Sequence, residues 1–249
     1  MKRLRPDQDA FGRVLLAVQN GRRQAATVIE RDDGYMEAEP AADYFDGIRR
    51  WRAVERRALR HIRGRVLDVG VGAGRVALEL QGRGHKVVAI DVSPLVVRVA
   101  RKRGVRNARV LSLEEVDKSL GRIDTVAMFM NNFGLFENEA KAKRLLQRLH
   151  GLTSEQGRIV ASSSDVLKSA RAEHRAYHRR NRSRGRMPGQ IRMRLHCGKT
   201  HTPWFDWLFV SPRELERLLR GTGWHVHRVL RDEEYSHFYV AVIDKDEVR

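Results

Sequence analysis

"RVLDVGVGAGRVALEL", residues 65–80, begins as an apolar run, passes through Asp68, sets glycine at every second position and then takes up a helical pattern. A strand that turns into a helix over glycines offers backbone N–H groups and a helix N-terminus to a ligand. Which ligand depends on where the glycines stop. Gly70, Gly72 and Gly74 spell G-x-G-x-G, and Arg75 stands where a dinucleotide fingerprint needs its third glycine. The Gly-Lys-Ser/Thr ending of a phosphate loop is missing as well. Asp68, next to the turn, would repel a pyrophosphate and could accept hydrogen bonds from a cationic amine instead.

The neighbouring sequence alternates strand and helix. Apolar runs at 66–69, 86–91, 108–113, 123–130 and 158–164 read as strands. Helices begin near Val76, after the Ser93–Pro94 cap, and around Leu145, Leu146 and Leu149 before Gly151. Continuous apolar strands separated by helices predict a parallel sheet covered on both faces. Ser211, Pro212 and Glu214 form a capping box for a further helix striped by Leu215, Leu218 and Leu219. The last two strands, 224–230 and 235–243, are joined only by "RDEE", too short for a helical crossover, so they must form an antiparallel hairpin. Upstream, 9–20 reads as an amphipathic helix, 21–40 as a polar loop, and 43–61 as a helix with Trp51, Val54, Ala58 and Leu59 on its apolar side.

Asp91 ends the second strand, where a carboxylate can accept two ribose hydroxyls. An ammonium, a ribose and no phosphate describe S-adenosylmethionine. At this point the chain resembles the class I S-adenosylmethionine-dependent methyltransferases: "LDVGVGAG" is similar to their first motif, "VVAIDVSP" to their second, and "DTVAMFMNNFGLF" (124–136) occupies the place of their fourth. The resemblance implies an α/β fold, a Rossmann-like, doubly wound, seven-stranded, mostly parallel sheet with an antiparallel last strand, helices on both faces and an insertion after strand five. It divides the chain into an N-terminal helical extension (1–42), a core (43–164 and 211–249) and an inserted lid or acceptor wall (165–210). It sets Asp68, Gly70, Gly72 and Gly74 against the methionine part of the cofactor, Asp91 against the ribose and Val92 beside the adenine. Ser112, Leu113 or Glu114 would approach the adenine amine, with Met130 and Asn131 at the mouth of strand four.

The fold leaves the methyl acceptor open. "NNFG" lacks the paired prolines typical of enzymes that methylate exocyclic nucleobase amines, which favours another substrate. Asn131 and Asn132 either hydrogen-bond cofactor or acceptor, or occupy a loop where Asn tolerates unusual backbone angles. Cys197 follows His196 rather than proline and reads as structural. In the insertion, His174, Tyr177 and His178 fall on one helix face. Either histidine could serve as general base, and Tyr177 and Asp206 are further catalytic candidates; packing is the competing role for each. Asn132, Phe133, Arg192 and Trp204 are candidates for holding the acceptor. His225 and His227 alternate along one strand and so share a face, but no third ligand follows at a recognisable spacing, and no metal is expected.

The 249 residues carry a formal charge of +18, with nine Lys among 49 basic residues, and residues 171–194 hold nine Arg against the single acid Glu173. Such basicity fits a polyanion partner, yet a skew towards Arg also follows from codon usage in a GC-rich genome. No run is long and apolar enough to span a bilayer, no signal peptide is recognisable, and one cysteine makes no internal disulfide, so a cytoplasmic location is expected. Three readings follow: a methyltransferase for a small-molecule acceptor, a nucleic-acid methyltransferase whose Arg-rich insertion grips the backbone, or a protein that binds S-adenosylmethionine without catalysis.

Overall fold

The structure, a computed structural model, describes residues 3–246. Its elements in chain order are α1 (Ala10–Gln19), β1 (Ala26–Arg31), β2 (Met36–Pro40), α2 (Ala53–Ala58), β3 (Arg65–Val69), α3 (Arg75–Gly82), β4 (Lys86–Asp91), α4 (Pro94–Lys102) and β5 (Ala108–Val110). There follow β6 (Ile123–Met128), α5 (Glu139–Leu152), β7 (Thr153–Ser164), α6 (Ala172–Ser183), β8 (Gln190–Cys197), β9 (Thr200–His201), β10 (Phe205–Leu208), α7 (Pro212–Leu219), β11 (Trp224–Arg231) and β12 (Phe238–Lys245). Seven strands form the larger sheet in the order β11-β12-β7-β6-β3-β4-β5. Within it β4 runs parallel to β5 and β6 parallel to β7, while β12 is antiparallel to both β7 and β11. This is the mixed α/β sheet expected from the alternation of apolar runs, with the antiparallel final hairpin expected from the short link between the last two strands.

By its internal packing the chain divides into two units. The first runs up to Trp51 and adds Leu67–Val116 and Arg192–Phe205; the second holds Arg52–Val66, Asp117–Ile191 and the chain from Asp206 onward.

In the first unit the buried runs Leu67–Val69 and Val87–Ile90 leave the carboxylates Asp68 and Asp91 at or near their strand ends. Helix α1 packs on α4. Gly12 permits the approach, because a Cβ there would lie 2.5–2.7 Å from Asp9 Oδ1, Leu95 Cβ and Ser93 Oγ. The stretch 21–40 is not a loop throughout. It contains β1 and β2, an antiparallel hairpin whose β1 also pairs with β8 from the insertion, 168 residues apart at the Val28–His196 pair. A second sheet of order β10-β8-β1-β2 results. Six residues of strand pattern find their second partner far along the chain, which local periodicity cannot reveal. The third predicted strand stops at Val110, since Ser112 and Glu115 form a reciprocal capping box for a 3-10 turn.

In the second unit the predicted helix 43–61 is reduced to α2 plus a 3-10 turn, preceded in the first unit by the 3-10 turns Ala42–Phe45 and Ile48–Arg50. Gly47, with extended backbone, separates those turns. The β11–β12 hairpin carries a register shift between Val226 and Arg228. The extra residue is His227, so the simple alternation that put His225 and His227 on one face does not hold across the bulge. Asn181, fully buried on α6, donates from Nδ2 to the carbonyls of Pro188 and Gln190 at 3.0 and 2.7 Å and so fixes the turn that leads into β8.

Candidate functional site

The glycine turn closes tightly. The N–H groups of Gly70 and Val71 both donate to the Ile90 carbonyl, at 2.9 and 3.0 Å, and Gly74 N–H donates to Val71 O at 2.8 Å. Gly70, Gly72 and Gly74 all have positive φ, 77°, 52° and 85°. Three left-handed residues at alternate positions explain why glycine recurs there and why a G-x-G-x-x-G spacing is not needed. Above Gly72 lies the Tyr44 ring, 3.3 Å from where a Cβ would stand, and Phe11 meets that ring edge-on with centroids 5.0 Å apart.

Two arginines bind the segment around Tyr44 to the turn. Arg103 donates to the carbonyls of Ala73 and Phe45 and places its guanidinium 4.8 Å from the Phe45 ring centroid. Arg75, the first residue of α3, lies 4.2 Å over Trp51. Neither Tyr44 nor Arg103 stands out in the sequence. Their signal is only an aromatic cluster, "YFDGIRRW", ahead of the first core strand.

Asp68 is buried beneath the turn, and its Oδ2 has no hydrogen-bond partner among the described residues. Burial first, then the nearby Asp91 charge, pushes the Asp68 carboxyl up to about 8. Asp91 accepts the Ser93 N–H at 3.0 Å on Oδ1, and burial pushes its carboxyl up to about 7 against the backbone hydrogen bonds that favour the charge. Two raised carboxyls with an orphaned acceptor between strand ends form a place for a ligand that brings positive charge and hydrogen-bond donors.

Most of the other sequence candidates of this unit lie close by. Asp91 pairs with Val110 in the parallel ladder, and Leu111 N–H donates to Asp91 O at 2.9 Å, which carries Ser112, Leu113 and Glu114 beside the β4 end. The Ser112 hydroxyl accepts the Glu114 N–H as part of its own cap. Val92 is held by Leu4, whose N–H donates to its carbonyl at 3.0 Å. On β8, in the second sheet, Arg192 is exposed, and Trp204 has the Arg194 guanidinium 4.8 Å over its ring; none of the described contacts brings either to the β3–β4 strand ends.

In the second unit the chain after β6 is strained. Met130 and Asn131 have φ of 55° and 62°, rare for residues with a Cβ, and rarer still for two in succession. The strain is held in place. Met130 N–H donates to the buried Glu55 at 3.2 Å, Asn131 N–H to Ser162 Oγ at 2.8 Å, and Ser164 Oγ to Asn131 Oδ1 at 3.0 Å. The unusual angles and a polar anchorage at Asn131 therefore coincide. Next to it Phe133 is buried edge-on against Phe136. Gly134 receives the Trp207 indole so closely that a Cβ would fall 2.0 Å from its Nε1.

The insertion candidates are drawn into local packing. Tyr177 and His178 are buried and His174 faces Ser169 Oγ at 3.1 Å. Asp206 Oδ2 accepts from Gln190 at 2.7 Å and from Arg186 at 3.3 Å.

Residues 66–157 match a family model described as "Methyltransferase domain". A crystallised S-adenosylmethionine-dependent methyltransferase from Bacteroides fragilis, solved with S-adenosylhomocysteine, aligns over 98% of both chains with a TM-score of 0.83 at 24% identity. The chain thus has the fold of an S-adenosylmethionine-dependent methyltransferase and, over residues 66–157, the sequence pattern of a methyltransferase domain. The CcbJ methyltransferase of Streptomyces caelestis aligns over 73% of this chain and 83% of its own, with a TM-score of 0.54 and 14% identity. A curated relative from Geobacillus sp. (strain WCH70) that carries a methyltransferase name is 23% identical over 116 residues, 44% of this chain. The matched part spans 45%, about half, of that relative's length.

Proposed function

We infer that the chain binds S-adenosylmethionine and transfers its methyl group to a small-molecule acceptor. The observation that carries the cofactor half is the buried Asp68 Oδ2 without a partner under three left-handed glycines. An α-ammonium supplies the donor and charge that this atom lacks; at Gly72 the glycine leaves room against the backbone that the Tyr44 ring fills in this structure, so the methionine part would share that space with Tyr44. Asp91 keeps acceptor capacity for ribose hydroxyls after taking the Ser93 N–H, and Val92, Leu113 and Ser112 border the adenine. No phosphate would be tolerated between two carboxylates.

The cofactor, when bound, supplies a methyl on a sulfonium, an already activated leaving group. The chain's part is then alignment and exclusion of water. The Met130–Asn131 bend, tied to Glu55, Ser162 and Ser164, presents Asn131 and Asn132 rigidly at the end of β6 and suits them to orient an acceptor. Phe133 is buried and stiffens the segment from behind, while half-buried Trp207, seated on Gly134, is its aromatic with surface left for a planar or partly apolar molecule. Catalysis by His178, Tyr177, His174 or Asp206 would need these groups to leave their present packing, so positioning is the role proposed for this wall. Absence of the paired prolines in the "NNFG" segment supports a small acceptor over a nucleobase amine.

Calorimetric titration with S-adenosylhomocysteine tests the cofactor site. Wild-type protein should bind it with micromolar affinity, and Asp91→Ala should weaken it by about a hundredfold, the scale of two lost hydrogen bonds to a charged group. Undiminished affinity in that variant would remove Asp91 from the ribose role.

A further inference from the structure

Asp9, at the start of α1, is completely buried. Its Oδ1 accepts the Gly12 N–H at 3.0 Å, its Oδ2 the Leu95 N–H at 3.0 Å, and both oxygens lie 2.6–2.7 Å from Ser93 Oγ. One carboxylate thus caps two helices, α1 and α4, and sits at the positive ends of both dipoles, which accounts for a buried carboxylate without a basic partner among the described residues. Ser93 in turn accepts the Val96 N–H on its hydroxyl at 2.9 Å, so its own proton points to Asp9. Through its main chain the same residue holds Asp91 Oδ1. The hydrogen-bond partners described for Asp9 are all donors, which an acceptor-only carboxylate satisfies, while its charge also acts on nearby Asp91.

We propose that Asp9 is a positioning residue for the cofactor ribose: it fixes Ser93, and through Ser93 the Asp91 carboxylate, so that the N-terminal helix is a working part of the cofactor site. The inference rests on the reading of Asp91 as the ribose acceptor. Leu4, which holds the Val92 carbonyl, and Phe11, which backs Tyr44 over Gly72, attach the same N-terminal segment at two more points of the site. Ser93 is also the N-cap of α4, so the double cap alone accounts for the Asp9–Ser93 contact, and a comparison of ligands separates the two roles.

The test compares S-adenosylhomocysteine with its 2′,3′-dideoxyribose analogue by calorimetry, in wild type, Asp9→Asn and Ser93→Ala. In Asp9→Asn an amide NH2 must face one of the donors, and affinity for S-adenosylhomocysteine should fall about tenfold, the size of one charge-assisted hydrogen bond. The loss for the dideoxy analogue should stay within about twofold, since the group that Asp9 positions then has nothing to hold. Ser93→Ala keeps the Gly12 and Leu95 caps and should show the same ligand selectivity, which decides the matter even if Asp9→Asn does not fold. Equal losses for both ligands, or none, would overturn the positioning role. Failure of the wild type to bind S-adenosylhomocysteine would instead strike the cofactor reading itself.

Discussion

At the residue scale the site is defined by what two carboxylates lack. Burial raises both Asp68 and Asp91; the Asp91 charge raises Asp68 further, and the Asp9 charge raises Asp91. Their folded-state values lie above the ordinary carboxylate range, so the native chain holds more protons than the unfolded chain between about pH 4 and pH 8. The stability tied to these protons is complete below pH 4 and is lost as pH rises through 7 and 8. A cationic ligand reverses the preference, because it binds the ionised pair best. Affinity for S-adenosylmethionine should therefore increase from pH 6 to pH 8.5, and the increase should shrink in Asp68→Asn. Calorimetry across that range checks the sign; an affinity that falls with pH would refute the assignment.

At the level of elements, the loop after β6 and the strand β10 are built as one contact. Trp207 occupies the space that any side chain at position 134 would need. Gly134→Ala should destabilise the protein by about 1–3 kcal/mol through overpacking. Trp207→Ala should cost a similar amount through the lost burial, and the double variant should cost clearly less than the sum, since each change relieves the other. Urea titrations of the four proteins measure this, and additive effects would mean that the indole does not rest on Gly134 in solution. The sequence marks "NNFG" as special through its residue types, but it shows neither the two positive φ values nor the tryptophan, because both depend on β7 and the insertion packing around that turn.

Over the whole molecule the charge of +18 asks for a partner or a reason. On α6 the residues Arg175, Arg179 and Arg182 are exposed at i, i+4 and i+7, one stripe opposite buried Tyr177 and Asn181. A stripe of this kind supports the nucleic-acid reading more than any other feature does. The small-molecule reading expects that bulk RNA leaves the S-adenosylhomocysteine affinity unchanged at both 50 mM and about 200 mM salt, a range over which phosphate binding would fall steeply. Salt-sensitive RNA binding that alters cofactor affinity would put the nucleic acid first. Among the described residues no helix is long and apolar enough to cross a membrane.

What the sequence by itself determined is the frame: the alternating strands and helices, the antiparallel end forced by a link too short for a helical crossover, and the tight glycine turn flanked by carboxylates, for which a phosphate-free, cationic ligand is the proposed occupant. These are local properties, set by side-chain period, by capping chemistry and by the steric demand of positive φ. The tertiary structure alone decided that β1 and β2 join the insertion in a second sheet, that Tyr44 lies over Gly72, and that Asp9 reaches Ser93. Each of those links joins residues tens of positions apart or more, where packing and not propensity chooses the partner, and a lone Asp or Tyr in a polar stretch carries no mark of the neighbour it will meet.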